Sequence, residues 1–324
     1  MVRFINDEEV KELFNPAISL QSTIRAFRAL AQGTVTMPQR LSLSVPEHQG
    51  TLLTMPCYLH DEVGEILSVK VATVYGLNPK DFGLPTTMAH LILQDPKSGQ
   101  LLAVMDAEML TARRTAAASA LATQMLSLEH ADTLCLFGAG GQARDHIAAI
   151  LGVRAISRVY ILSRTARSRE SLASDVRRKF GIEAIATDDV DSALSNSKIV
   201  CTATNSTNPL FAMNQVSPGT HINAIGSFRP GMREFGDDVV TGSTIIVDQI
   251  EAAKRGAGEL IHAAASGDWK WETLKGDLGG LTTGRIAGRS SVEEITLFKS
   301  VGLAVQDATA ADAVYRLISK SELT

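Results

Sequence analysis

The feature that most narrows the possibilities for this chain is a short turn, Gly138-Ala139-Gly140-Gly141-Gln142-Ala143, set between two apolar stretches. Thr133-Leu134-Cys135-Leu136-Phe137 before it reads as a buried strand, and residues 143–151 after it read as a helix. In a G-x-G-x-x-A turn the first glycine makes the tight bend and the second lets the backbone approach a pyrophosphate. The small final residue lets the helix pack closely on the strand. Free N–H groups at the helix start then face the phosphate charge. Glycine-rich turns are common, but one placed between strand and helix predicts a dinucleotide site at Gly138, Ala139, Gly140, Gly141, Gln142 and Ala143.

The next strand candidate, residues 158–162, runs into Ser163-Arg164-Thr165-Ala166-Arg167. A site selective for NAD carries Asp or Glu near this point, to bind the ribose hydroxyls. Hydroxyls and guanidinium groups suit a 2′-phosphate instead. Ser163, Arg164, Thr165 and Arg167 therefore favour NADP(H). Solvated arginines at a helix start would leave NAD(H) open as well.

The texture of the chain changes along its length. Residues 7–32 have apolar positions at helical spacing, broken at Asn15-Pro16. Residues 41–73 become strand-like, and 90–94 with 101–105 read as a hairpin around Asp95-Pro96-Lys97-Ser98-Gly99, so an antiparallel sheet with flanking helices is expected. An Ala-rich helix follows over 110–128. Strand candidates at 133–137, 158–162, 198–203, 221–225 and 243–247, most of them separated by helical segments, then predict a parallel sheet. From Ser290 the chain reads as helical again, through Leu297-Phe298-Lys299-Ser300-Val301-Gly302 and on to Ser319.

At 324 residues, two domains are expected. The fold class is α/β: a Rossmann-type parallel-sheet domain over 113–299, with an α+β domain made of 1–112 and 300–324. A net charge of −4 with no basic block argues against nucleic acid, and no apolar run reaches the length that crosses a bilayer. The acidic N-terminus, Asn6-Asp7-Glu8-Glu9, does not resemble a signal peptide, so a cytoplasmic location is expected. Cys57, Cys135 and Cys201 do not suggest a disulfide framework, and Cys135 and Cys201 fall in apolar strands as core residues. No Cys/His spacing suits a metal, and none is expected.

Several longer stretches carry a resemblance. They are Met37-Pro38-Gln39-Arg40, Ser68-Val69-Lys70, Gly83-Leu84-Pro85-Thr86-Thr87-Met88-Ala89 and Leu110-Thr111-Ala112-Arg113-Arg114-Thr115-Ala116-Ala117. With the glycine turn, His221-Ile222-Asn223-Ala224-Ile225-Gly226 and the segment 293–302, they make the chain similar to the ornithine cyclodeaminase/mu-crystallin family over nearly its full length. The resemblance implies a homodimer whose substrate-binding and dimerisation domain joins the N-terminal third to the last helix. It also implies a small α-amino or α-imino acid substrate, bound through its carboxylate by Arg40, Lys70 and Arg114, with Thr86 as a substrate-side hydroxyl. Lys70 and Arg114 are the expected catalytic pair. Thr115, Thr202, Ala203 and Thr204 complete the expected cofactor contacts.

Physical chemistry makes these roles sensible. An arginine fork holds a carboxylate bidentately, and an ammonium inside an apolar strand, as at Lys70, is costly without a partner. Lys70 could alternatively be an edge-strand lysine facing water. Arg113 and Arg114 are indistinguishable on chemistry, and the motif alone selects Arg114. Glu234 and Asp307 stand between supporting roles at the site and ordinary helix-start or surface acids.

One departure separates activities within the family. Ornithine cyclodeaminases carry an aspartate two residues after the glycine that closes the Ile-Asn-Ala-x-Gly strand; here that place is Phe228, in Gly226-Ser227-Phe228-Arg229-Pro230-Gly231-Met232-Arg233-Glu234. Phenylalanine neither binds an ammonium through a carboxylate nor moves a proton, and its apolar wall suits a ring of methylenes. The pattern is similar to the ketimine reductase branch. The expected reaction is NADPH-dependent reduction of Δ1-pyrroline-2-carboxylate or Δ1-piperideine-2-carboxylate to L-proline or L-pipecolate. The alternatives are an alanine or N-alkylamino-acid dehydrogenase, a cyclodeaminase-like enzyme, and a non-catalytic mu-crystallin-like binding protein. The proton donor, Lys70 or a water, is left open.

Overall fold

Alternating and continuous apolar runs in this chain build two different sheets. The computed structural model describes residues 2–321; residues 1 and 322–324, expected in the first domain, lie outside the described residues. It divides into one unit running to Arg114 and resuming at Leu303, and a second spanning Thr115–Gly302.

In the first unit the strands are β1 (Arg3–Ile5), β2 (Val35–Thr36), β3 (Leu41–Val45), β4 (Gly50–Asp61), β5 (Gly64–Tyr75), β6 (Thr87–Gln94) and β7 (Leu101–Asp106). They form one sheet in the order β1-β7-β6-β5-β4-β2, with β3 on β4. All pairs are antiparallel except β1, which joins β7 in parallel, a departure from the purely antiparallel expectation. The β6–β7 hairpin matches its turn signal. Burial in β5 alternates with the pleat, so Ile66, Ser68, Lys70 and Ala72 share one buried face. The helix Ala304–Ser321 packs on β4, β5 and β6 and along the helix Pro16–Gln32. Asn15 caps the helix Pro16–Gln32 by accepting from the N–H groups of Ala17 and Ile18, with Pro16 in its first turn.

The second unit holds β8 (Thr133–Phe137), β9 (Arg158–Leu162), β10 (Glu183–Ala186), β11 (Ile199–Thr202), β12 (His221–Ala224), β13 (Thr244–Val247), β14 (Gly276–Asp277) and β15 (Thr296–Lys299). All pairs are parallel, in the order β10-β9-β8-β11-β12-β15-β13-β14. Along β8, Cys135 and Phe137 enter one core while Leu134 and Leu136 enter the other, which is why the strand reads as continuously apolar. Cys135 and Cys201 are core residues as expected, and Cys57 is buried too. Strand order reverses between β8 and β11, the switch point at which open α/β sheets bind ligands beyond the strand ends.

One stretch read as helical is a strand. Thr296-Leu297-Phe298-Lys299 inserts between β12 and β13, and helix begins only at Ala304. The four residues are buried on both faces, and an apolar run this short has no periodicity to separate strand from helix. Side chains tie the inserted strand down. His221 on β12 reaches Thr296 Oγ1 through Nδ1 at 2.9 Å and Asn223 Oδ1 through Nε2 at 3.2 Å. Burial pushes the imidazole down to about 3, so it is a neutral member of the core.

Candidate functional site

The first unit gathers a buried charged cluster around one acid. Lys70 lies on β5, an interior strand, so the edge-strand alternative is overturned: the pleat turns its side chain to the face covered by the last helix, where it is 3 % exposed. The first turn of that helix presents Asp307, and its Oδ2 stands 2.7 Å from Lys70 Nζ. A carboxylate in the first turn also faces the positive end of the helix dipole. Asp307 Oδ1 accepts from Arg114 Nε at 2.8 Å. Gln306 accepts from Arg114 Nη1 and from the Leu303 N–H, at 3.4 and 2.9 Å, and holds the fork in place. Lys70 Nζ also donates to Thr111 Oγ1 at 3.4 Å.

Burial is the largest influence on Lys70 and pushes its ammonium down to about 8. Asp307 opposes that shift, while the positive charges of Arg114 and Arg40 add to it. Arg40, half-buried immediately before β3, is thus close enough for its charge to be felt at Lys70.

The structure separates the two arginines that chemistry left equivalent. Arg113 Nη1 donates to the Lys11 and Phe14 carbonyls, both at 2.7 Å, and so satisfies the end of the helix Asp7–Leu13. Arg114 is the one that pairs with Asp307 beside Lys70 among the contacts of the described residues. Thr86 is exposed just before β6, where its carbonyl accepts from the Tyr75 N–H.

In the second unit the glycine turn has the predicted form. Gly138 follows β8 with φ +112°, and a Cβ there would stand 2.6 Å from the Ala203 carbonyl oxygen. Only glycine meets both demands. Gly140 and Gly141 have no heavy atom within 4 Å of a Cβ position, so open space adjoins their backbone. The helix Ala143–Leu151 starts without a side-chain cap on Gln142. Open space beside glycine backbone and an uncapped helix start fit a pyrophosphate.

At the end of β9, the Ser163 hydroxyl bonds to the Thr165 carbonyl and to Ser168 Oγ, which also meets Thr165 Oγ1. Arg164 and Arg167 are exposed beside this hydroxyl cluster. Arg169, which sequence reasoning passed over, donates to the Ser163 carbonyl at 3.3 Å and pairs with Asp188 at 2.7 Å. Thr115 is half-buried on the helix Glu108–Leu126.

Thr202 ends β11 and Thr204 lies just beyond it, both held by Glu234, which is fully buried rather than a surface or helix-start acid; the Ala203 N–H between them donates to the Phe137 carbonyl. Phe228 packs on the core of this unit, with the Arg229 guanidinium over its ring at 5.1 Å. Sequence reasoning missed Glu259 and Lys299. Lys299 carried a signal akin to that of Lys70, a lysine within a short apolar run. It is fully buried, with its Nζ 3.2 Å from Glu259 Oε2.

Among the described residues, no group of His, Cys, Asp and Glu suits a metal ion, and no helix is long and apolar enough to cross a membrane.

Comparison with known proteins agrees over the whole chain. A Bacillus cereus Δ1-pyrroline-2-carboxylate reductase is 35% identical over 312 residues, covering 96% of this chain and 95% of the relative. The structure of the Thermococcus litoralis Δ1-pyrroline-2-carboxylate reductase in complex with NADH and L-proline matches with a TM-score of 0.95 at 33% identity, covering 99% of this chain and 98% of that one. An archaeal alanine dehydrogenase dimer with bound NAD matches with a TM-score of 0.92 at 33% identity, covering 99% and 97%. The ornithine cyclodeaminase/mu-crystallin family signature spans residues 2–322, and the chain belongs to that family.

Proposed function

We propose that the protein is an NAD(P)H-dependent ketimine reductase, using NADPH in preference to NADH. Its substrate is Δ1-pyrroline-2-carboxylate or Δ1-piperideine-2-carboxylate, and its product L-proline or L-pipecolate. The observation that carries this reading is the charge of the buried cluster. Lys70 and Arg114, both nearly excluded from water, share a single acid, Asp307, and an excess of buried positive charge is costly until an anion joins it. A substrate carboxylate is such an anion. The Arg114 fork orients it, and Arg40 and Thr86 complete its binding.

When bound, the reduced nicotinamide supplies the hydride that adds to the imine carbon. The imine nitrogen must carry a proton as the carbon is reduced, so that the C=N π bond becomes C–H and N–H. Lys70 is the proton donor in this scheme, because its lowered pKa lets the ammonium release a proton near neutral pH. Asp307 keeps Lys70 and Arg114 in register. Gly138 to Ala143 receive the pyrophosphate, Ser163, Arg164, Thr165 and Arg167 the 2′-phosphate, and Thr115, Thr202, Ala203 and Thr204 the rest of the cofactor. Phe228 in place of an acid argues against cyclodeamination, and retention of all three basic residues argues against a purely binding role.

The protein works as a homodimer in this reading, as the alanine dehydrogenase it resembles is a dimer. Leu41 and Leu43 on β3, with Phe82 and Leu84, are large apolar side chains left exposed in the first unit, as expected of a surface a second copy covers. The substrate-binding and dimerisation role thus falls to the first unit.

The test is NADPH oxidation with Δ1-pyrroline-2-carboxylate or Δ1-piperideine-2-carboxylate, set against pyruvate with ammonia or methylamine, each repeated with NADH. Turnover of a cyclic ketimine supports the proposal. Turnover only with pyruvate and an amine would instead identify an alanine or N-alkylamino-acid dehydrogenase.

A further inference from the structure

We infer that Glu234 is a positioning residue for the nicotinamide half of the dinucleotide site, acting through the two loops that follow β11 and β12. This rests on the dinucleotide reading above and adds to it a residue that touches no ligand. Glu234 Oε2 accepts from Thr202 Oγ1 and from the Gly226 N–H, both at 2.8 Å. Its Oε1 accepts from the Thr204 N–H and Thr204 Oγ1, also at 2.8 Å. One carboxylate therefore joins the loop after β11 to the loop after β12, beyond the carboxyl ends of neighbouring parallel strands.

The strand order says which part of the cofactor lies there. With the pyrophosphate at the turn after β8, the adenosine side extends over β9, where Ser163 and Arg164 stand. The nicotinamide side then extends over β11 and β12. The clamped loop also forms the wall of the turn itself, since the Ala203 carbonyl is the atom a Cβ at Gly138 would strike. The two clamped loops touch directly: a Cβ at Gly226 would stand 2.0 Å from the Thr204 carbonyl oxygen and 2.4 Å from Glu234 Oε1.

Glutamine cannot replace this carboxylate. Each oxygen faces one backbone N–H, Thr204 on Oε1 and Gly226 on Oε2, so either orientation of an amide sets its NH2 against one of them. A threonine hydroxyl can turn to accept; a backbone N–H cannot. The clamp is itself supported, because Glu259 Oε1 accepts from the Glu234 N–H at 2.9 Å and Glu259 Oε2 pairs with Lys299. Lys299 thereby supplies positive charge beside two buried acids, which would otherwise repel each other.

The experiment measures cofactor binding directly, by NADPH fluorescence titration of the full-length protein, beside calorimetric titration with adenosine 2′,5′-bisphosphate, which lacks the nicotinamide half. Melting curves of the unliganded proteins set a temperature at which every variant is folded. For E234Q the NADPH Kd is expected to rise about tenfold or more, while the Kd for the bisphosphate changes by less than about twofold. G226A leaves the carboxylate intact but pushes the loops apart, and E234D keeps the charge but is one methylene too short to bridge both loops. Either should reproduce the selective loss, and they carry the test if E234Q does not fold. An unchanged NADPH Kd in folded variants overturns the inference, and so does parallel weakening of both ligands, which would mark a general structural role. Failure of the parent protein to bind NADPH or NADH would overturn the dinucleotide reading itself.

Discussion

Asp307 divides its carboxylate between two cations: Oδ2 stands 2.7 Å from Lys70 Nζ, and Oδ1 accepts from Arg114 Nε at 2.8 Å. All three side chains are nearly excluded from water, so neither cation has solvent to fall back on. In D307N an amide offers one oxygen where two were used and carries no charge. The variant should lose about 3–5 kcal/mol of stability, the cost of leaving a buried charge without its partner. Urea unfolding of the two proteins measures this. A loss below about 1 kcal/mol would mean the pair is not held as described.

Lys70 should make both stability and activity respond to alkali. Its folded value, about 8, lies below its ordinary 10.5. Below about 8 both folded and unfolded chains hold the proton, and the cost of burying the ammonium stands in full. Between about 8 and 10.5 the unfolded chain binds more protons, so this residue's contribution to stability rises with pH across that window. Unfolding free energies measured through that range should show the rise in the parent and not in K70M. If Lys70 is the proton donor, kcat/KM for ketimine reduction falls above about 8. A profile that stays flat to pH 10 would exclude it as the donor.

Arg114 and Arg113 are neighbours in sequence with different partners, and that gives a paired test. R114A should lower kcat/KM for the imino acid by at least about 100-fold, from loss of a charge-assisted fork, with little change in NADPH affinity. R113A loses two bonds to the end of the first helix and should cost about 1 kcal/mol of stability, with turnover near the parent's. Steady-state kinetics on both variants decide it. A reversed pattern would transfer the carboxylate-binding role to Arg113.

Arg164 and Arg167 carry the expected cofactor preference from exposed positions, so their effects should be modest. The double variant R164A/R167A should lower kcat/KM for NADPH by about tenfold, a loss near 1.4 kcal/mol, and leave NADH almost untouched. Parallel losses with both cofactors would show that these arginines do not read the 2′-phosphate.

Much of this protein was legible before folding was considered. The turn at Gly138, the strand before it and the helix after it are local patterns, and local physics dictates them: φ +112° at Gly138, period two in β5, a Pro16 start after an Asn15 cap. The short run Thr296–Lys299 was misread because four apolar residues carry no period, and its strand pairs with β12 and β13 decide its state.

The sequence by itself determined the α/β class, the dinucleotide turn and the family, since each is written in contiguous residues whose spacing has a direct physical meaning. Only the tertiary structure decided which acids matter. Asp307 reaches Arg114 across 193 residues of chain, and Glu234 meets Gly226 and the Thr202 loop through contacts from separate strand ends. An isolated Asp or Glu looks the same in a sequence whether it faces water or holds a buried lysine. The burial that makes it costly, and the partner that offsets that cost, exist only once distant segments have packed together.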